Sequence, residues 1–178
     1  GDLPAKSGLG SSSAFTVGLL HALYGLSGKI VSKKRLALES IHIEQKMLKE
    51  NVGSQDQFAV AFGGLNKILF KGDHDIEVIP ITIKTQRLQD LQNHLMLFFT
   101  GLTRYATDIE EDKIKNLSDK KTEMDRLSKM VDSAIDILNS DGDFDDFCKM
   151  LHESWLIKKS LSPLVSTNHI DAIYDTAL

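Results

Sequence analysis

Glycine and serine residues near the start of the chain have the types and spacing that bind phosphate. Gly8-Leu9-Gly10-Ser11-Ser12-Ser13 runs directly into an apolar segment, residues 14–24, whose composition predicts a buried helix. Glycines let the backbone turn and approach a ligand closely, and the first N–H groups of a helix point outward at the positive end of its dipole. This combination favours a bound anion such as phosphate, to which the serine hydroxyls can also donate.

Two simpler interpretations of this loop compete with phosphate binding. Serines in front of a helix can act only as an N-cap, and Gly-Ser stretches often form flexible linkers. A linker seldom runs straight into so apolar a helix, and capping leaves the paired glycines unexplained. The loop has neither the Walker pattern nor the dinucleotide-binding Gly-x-Gly-x-x-Gly pattern. We therefore favour a phosphate loop of another kind.

Two acidic residues downstream have both ordinary and chemical interpretations. Glu44 lies beside the apolar stripe of a helix predicted over 33–48 with Ser32 as N-cap, and a helix glutamate is most often a solvated surface charge. Asp56 opens a short predicted helix that ends at Gly63-Gly64, and its residue type suits simple capping. Periodicity alone does not decide between these interpretations.

Two motifs together resemble the GHMP small-molecule kinases. The first is Pro-x-x-x-Gly-Leu-Gly-Ser-Ser-Ser from Pro4, and the second is Gly-x-x-Asp-Gln-Phe from Gly53 to Phe58. Further matches at residues 42–44, 53–66 and 98–104 resemble the sugar-kinase branch of that family. The resemblance implies phosphoryl transfer from ATP with Mg²⁺ to a sugar or sugar phosphate, first of all to the anomeric hydroxyl of D-glycero-D-manno-heptose 7-phosphate. An L-fucokinase-like or other sugar kinase and a non-catalytic sugar- or nucleotide-sensing homologue are the alternatives.

The same resemblance implies roles for individual residues. Asp56 corresponds to the base that takes the proton from the sugar hydroxyl, and Ser12 and Glu44 correspond to the magnesium ligands. Gln55, Thr103 and Arg104 are candidates for sugar binding. The residues expected around the ATP phosphates are Lys6, Gly8, Leu9, Gly10, Ser11, Ser12 and Ser13, although Lys6 equally suits a solvated lysine.

The expected fold is α+β, in the two-domain GHMP kinase arrangement. Residues 1–85 would form a domain like ribosomal protein S5 domain 2, and residues 86–178 a ferredoxin-like domain. Because the chain opens without methionine inside a ligand loop, and the family's C-terminal glycine-rich motif is absent, we expect a fragment of a longer protein. The pattern predicts strands at 65–70 and 76–81 with a turn at 71–75 between them, and a further strand at 94–100. It predicts helices at 105–138, 144–157 and 170–178, with breaks at 141–143 and 162–163 and with Thr167 or Asn168 as the cap of the last helix.

Composition excludes several other classes of function. The 178 residues are 42% hydrophobic and 26% charged, which is ordinary for a globular protein, and no apolar run reaches membrane-spanning length. A net charge of −4 gives no electrostatic reason to expect nucleic acid or an anionic membrane as partner. The single cysteine, Cys148, cannot form an internal disulfide, which fits a reducing cytoplasm. A homodimer is among the oligomeric states that the sequence allows.

Overall fold

The computed structural model describes residues 8–72, 75–98, 100 and 120–178. Described residues up to Ile81 belong to one compact unit, and those from Thr82 onward to a second. The first unit contains α1 (Ser11–Leu26), α2 (Lys33–Ile41), a π-helix (His42–Met47), α3 (Gln55–Phe62), β1 (Asn66–Phe70) and β2 (Ile76–Pro80). The second contains α4 (Thr85–His94), α5 (Lys121–Asn139), α6 (Asp145–Leu161) and α7 (Asn168–Ala177). The predicted α+β class is thus confirmed.

The core of the first unit joins α2, α3 and the hairpin. Ala37, Ile41, Phe58 and Ile76 are buried together, and the ring of Phe62 stacks on that of Phe58 with centroids 5.8 Å apart. The two strands pair antiparallel, as the sequence predicts, and a Gly-containing turn joins them. Complete burial of Phe58 contributes about 1.5–3 kcal/mol to folding, so this side chain anchors α3 in place.

A polar cluster fastens α1 to α2 at the side of that core. The Tyr24 hydroxyl donates to both Glu39 carboxylate oxygens, at 2.8 and 2.7 Å, and Arg35 Nε donates to Glu39 Oε1 at 2.8 Å. Burial disfavours charge on Glu39, but the bonds from Arg35 and Tyr24 outweigh it and hold the Glu39 pKa below its usual range. The same hydrogen bond shifts Tyr24 in the opposite direction: because the bond needs the hydroxyl proton, it raises the pKa of Tyr24.

In the second unit, Arg87 of α4 contacts the C-terminal end of α5 and the start of α6. Arg87 of α4 donates through Nη2 to the Ile137 carbonyl at 3.0 Å and through Nη1 to the Gly142 carbonyl at 2.6 Å. Its guanidinium also lies 3.7 Å from the centroid of the buried Phe144 ring. These contacts tie α4 to the last turn of α5 and to the segment between α5 and α6.

Most predicted helix ends are confirmed. Ser32 caps α2 by accepting from Arg35 N at 3.2 Å, and Thr167 caps α7 by accepting from Ile170 N at 3.3 Å. The break at 141–143 separates α5 from α6, as predicted. Residues 105–119 of the long predicted helix lie outside the described residues.

The helix predicted over 33–48 is confirmed, although its last part, His42–Met47, is a π-helix. One prediction about elements was wrong. The strand predicted at 94–100 is absent among its described residues: His94 ends α4, and Leu95 to Phe98 are exposed and irregular. Their β propensity finds no neighbouring strand in the described part of the chain, and an unpaired strand is not stable.

Within the described ranges, every helix is too short or too polar to cross a bilayer.

Candidate active site

The predicted phosphate loop has the backbone geometry that its glycines suggest. Gly8 and Gly10 adopt φ values of +76° and +67°, in the left-handed region that residues with a Cβ seldom adopt. The helix starts at Ser11, and its first backbone bond runs from Ala14 N to the Gly10 carbonyl at 2.9 Å. The N–H groups of the three serines precede that bond and have no acceptor within the helix. The start of α1 can therefore donate to an anion.

A buried carboxylate lies behind this loop. Glu44 is only 2% exposed, so its interpretation as a solvated surface charge was wrong. Its Oε2 accepts from Ser13 Oγ at 3.1 Å and from Gln57 Nε2 at 2.5 Å, and its Oε1 accepts from Ser40 Oγ at 3.3 Å. Because the donors come from α1, α2 and α3, one carboxylate links all three helices.

The π-helix holds the backbone of Glu44. Leu48 N donates to the Ile43 carbonyl five residues back at 2.9 Å, which makes the turn wider than an α-turn. Glu50 N then donates to the Glu44 carbonyl at 2.9 Å, as the chain reverses through Lys49 with φ +56°. Single π-turns are rare and occur frequently at functional sites, so this turn is a second feature that singles out Glu44.

Asp56 lies against the phosphate loop. It is an exposed residue in the first turn of α3, and a Cβ added to Gly10 would stand 3.2 Å from Asp56 Oδ2. The absence of a side chain at Gly10 is therefore what lets this carboxylate approach the start of α1. The ends of two helices meet at this point, with an anion-binding terminus on one side and a carboxylate on the other.

Of the other predicted site residues that the structure describes, only one, Ser13, makes a side-chain contact with Glu44. The hydroxyl that donates to Glu44 is that of Ser13, whereas Ser12 is exposed and its carbonyl accepts from Thr16 Oγ1 at 3.2 Å. Leu9 and Gln55 are exposed, and Ser11 is half-buried. Lys6, Thr103 and Arg104 lie outside the described residues.

Sequence reasoning did not single out two residues that contact Glu44. Ser40 stands four residues before Glu44, a spacing that places two side chains on one helix face and could have indicated the contact. Gln57 belongs to the second motif itself, directly after Asp56, but nothing in the sequence shows that it contacts Glu44.

The oxygen atoms around Glu44 are of the kind that bind a magnesium ion. Among the described residues, no cluster of three or more His, Cys, Asp or Glu side chains could hold a metal. Magnesium does not need one, because it binds through one or two carboxylates together with phosphate and water oxygens. A carboxylate has about four lone-pair positions, so three donors leave Glu44 Oε1 with one to spare. The buried carboxylate and the serine hydroxyls beside it therefore fit this ion.

The segment that contains these features resembles known proteins in sequence. Residues 1–64 match the model of the GHMP kinases N terminal domain. The chain is 33% identical over 99% of its length to D-glycero-alpha-D-manno-heptose 7-phosphate kinase of Campylobacter jejuni, of which it covers 52%. It is 30% identical over 67% of its length to galactokinase of Pyrococcus furiosus, of which it covers 32%. It is 23% identical over 98% of its length to the bifunctional fucokinase/GDP-fucose pyrophosphorylase of Arabidopsis thaliana, of which it covers 17%.

The chain thus spans about half or less of the length of these relatives. The matched segment contains the loop, the buried glutamate and the aspartate that faces the loop. Residues 1–64 therefore match the N-terminal domain of the GHMP kinases, and the chain is similar in sequence to sugar kinases.

Proposed function

We propose that the protein is an ATP- and Mg²⁺-dependent sugar kinase that phosphorylates the anomeric hydroxyl of D-glycero-D-manno-heptose 7-phosphate. The choice of sugar is supported by 33% identity across nearly the whole chain to a kinase named for that substrate. A fucokinase is the second candidate, supported by lower identity, 23%, over a similar share of the chain. All three relatives named above are, in whole or in part, kinases of sugars or sugar phosphates.

The position of Asp56 beside Gly10 is the observation that carries the proposal. Phosphoryl transfer depends mainly on neutralising the phosphates, aligning the reactants and removing the proton of the attacking hydroxyl. The α1 terminus offers N–H donors for phosphate oxygens, and the Asp56 carboxylate lies beside it. A sugar hydroxyl bound near this carboxylate would have its proton acceptor and its phosphoryl donor at one place.

Each remaining residue has a proposed task in binding or orientation. Glu44, with Ser12 or Ser13, would hold magnesium, which when bound neutralises the charge of the triphosphate. Lys6 and the loop residues 8–13 would hold the phosphates of ATP. Gln55, Thr103 and Arg104 would bind the sugar. Asp56 would accept the proton as the sugar oxygen attacks the γ-phosphorus and the bond to ADP breaks.

ATP consumption with a panel of sugars tests the proposal. The protein is incubated with Mg·ATP and heptose 7-phosphate, L-fucose or galactose, and ³¹P NMR identifies the product. We expect an anomeric phosphate from heptose 7-phosphate, with kcat/KM at least about tenfold above that for fucose, a modest difference of the kind one substrate contact provides. Omission of magnesium should abolish turnover. ATP binding without turnover of any sugar would instead identify a non-catalytic sensor.

A further inference from the structure

Gln57 occupies a position that the proposed chemistry does not yet use. It follows Asp56 in α3, and its side chain is 1% exposed. Its Nε2 donates to Glu44 Oε2 at 2.5 Å, while its Oε1 is buried and accepts no hydrogen bond from any described residue. The residue thus connects the carboxylate behind the loop to the helix that presents Asp56.

The orientation of the Gln57 amide follows from charge. A carboxylate oxygen accepts hydrogen bonds only from donors, so the nitrogen must face Glu44 and the amide oxygen must be directed elsewhere. A buried acceptor left without a donor costs about 1–3 kcal/mol, and such atoms are rare in native proteins. In the described part of the chain, only the Nε2 end of the Gln57 amide therefore makes a contact that could position another group.

Gln57 differs from the other two donors to Glu44 in rigidity. The hydroxyls of Ser13 and Ser40 can rotate to follow the carboxylate, whereas the planar amide of Gln57 donates in a direction fixed by its own buried side chain. The contact with Gln57 therefore sets the plane of the Glu44 carboxylate, and with it the direction of the lone pair that remains on Oε1.

We propose that Gln57 is a positioning residue of the magnesium site. Its Nε2 holds the Glu44 carboxylate in one orientation, so that the lone pair left on Glu44 Oε1 stays available to the metal. This inference rests on the proposed function, because it assumes that Glu44 binds the ion. Partners that orient a metal ligand commonly change metal affinity by about 10–100-fold when they are removed.

The test measures metal binding directly, with Mn²⁺ as the probe. Mn²⁺ replaces Mg²⁺ and is followed by EPR in the presence of the non-hydrolysable ATP analogue AMP-PNP. Gln57→Met keeps the side-chain length and removes both polar atoms. We expect it to raise the Kd for Mn²⁺ by about tenfold or more, and to leave AMP-PNP binding in EDTA unchanged.

Gln45→Met is the matched control. Gln45 lies next to Glu44 in the π-helix, but its amide donates to the Val52 carbonyl at 2.9 Å and to Ser54 Oγ at 3.3 Å. We expect its loss to lower the melting temperature without changing the Kd for Mn²⁺. A purely structural role for Gln57 would give the same result as this control.

The outcomes separate the two proposals. If Gln57→Met binds Mn²⁺ as the wild type does, the inference is wrong and the kinase proposal stands. If the wild type itself shows no metal-dependent binding of AMP-PNP, both are wrong. Should Gln57→Met not fold, Gln57→Asn retains the amide but withdraws it from Glu44 by one methylene. Its Kd for Mn²⁺ should rise in the same direction, and an unchanged value would overturn the inference.

Discussion

Gly10 combines two constraints that no other residue type satisfies together. Its φ of +67° costs an alanine about 1–2 kcal/mol, and the added methyl would stand 3.2 Å from Asp56 Oδ2. Gly10→Ala should therefore destabilise the protein by about that amount and also displace the Asp56 carboxylate. We expect a lower kcat along with a lower urea midpoint.

Gly18→Ala is the matched control for that change. Gly18 lies inside α1, where nothing stands within 4 Å of an added methyl. Alanine is the better helix former by about 1 kcal/mol, so this variant should be at least as stable as the wild type and equally active. Full activity of Gly10→Ala would show that the approach of Asp56 to the loop does not matter for turnover.

Asp56→Asn tests the base without changing the shape of the side chain. An amide cannot take the proton of a sugar hydroxyl, and loss of a positioned base commonly lowers rates by about 10²–10⁴-fold. We expect a fall of that size in kcat, with the KM for ATP nearly unchanged because the loop and Glu44 are intact. Steady-state kinetics measures both. A kcat within a factor of a few of the wild type would remove Asp56 from the role of base.

At the scale of elements, the polar cluster between α1 and α2 should give stability a defined pH dependence. The lowered pKa of Glu39 means that its contribution is present above the ordinary carboxyl pKa and is lost as the pH falls through the lower folded value. The raised pKa of Tyr24 means that its contribution is present below about pH 10 and is lost as the pH rises through the higher folded value.

Tyr24→Phe should therefore lower the melting temperature by a few degrees at pH 7 and by less at strongly acid or alkaline pH. The mutation removes the donor to Glu39 and leaves the ring that Arg35 covers, 5.5 Å from its centroid. Melting curves at several pH values check this. If the difference in melting temperature between Tyr24→Phe and the wild type is the same at every pH, the Tyr24–Glu39 bond does not make stability depend on pH.

Elements with local signals could be predicted from the sequence. Ser32 and Thr167 cap helices because each hydroxyl accepts a hydrogen bond from the backbone N–H three residues later. The hairpin is signalled by two apolar strands on either side of a short turn. The π-helix could not be predicted in this way. Its extra residue per turn leaves no mark in an apolar stripe at helical spacing, and its position depends on contacts that Glu44 makes with α1 and α3.

In the candidate site too, features with a local sequence signal could be predicted, and contacts between distant residues could not. The glycines and serines around the start of α1 are contiguous in sequence, so the tight turn and the helix start could be predicted there. The choice of Ser13 as the partner of Glu44 depends on the rotation of α1 relative to a residue 31 positions later. Likewise, the strand predicted at 94–100 fails because strand formation depends on a partner, which the propensity of Leu95 to Phe98 does not reveal.

At the scale of the whole molecule, charge bears on the choice of sugar. The chain has a net charge of −4, so its overall field does not attract an anionic sugar phosphate. On the proposed function, local basic groups would then have to discriminate heptose 7-phosphate from an uncharged sugar. Arginine suits this task because its planar guanidinium forms paired hydrogen bonds with phosphate. Arg104, within the segment that resembles the sugar-kinase branch, is our candidate for contact with the distal phosphate.

Arg104→Gln should raise the KM for heptose 7-phosphate by about tenfold or more, the loss expected for one charge-assisted contact of about 1.5–3 kcal/mol. The KM for ATP should be unchanged, and the rate with an unphosphorylated heptose should fall little. Arg126→Gln, which removes a surface arginine that pairs with Glu153, controls for loss of positive charge alone. Equal effects of the two mutations on the KM for heptose 7-phosphate would mean that general electrostatics accounts for the change. An effect confined to Arg104 would support its proposed role in recognising the phosphate of the sugar.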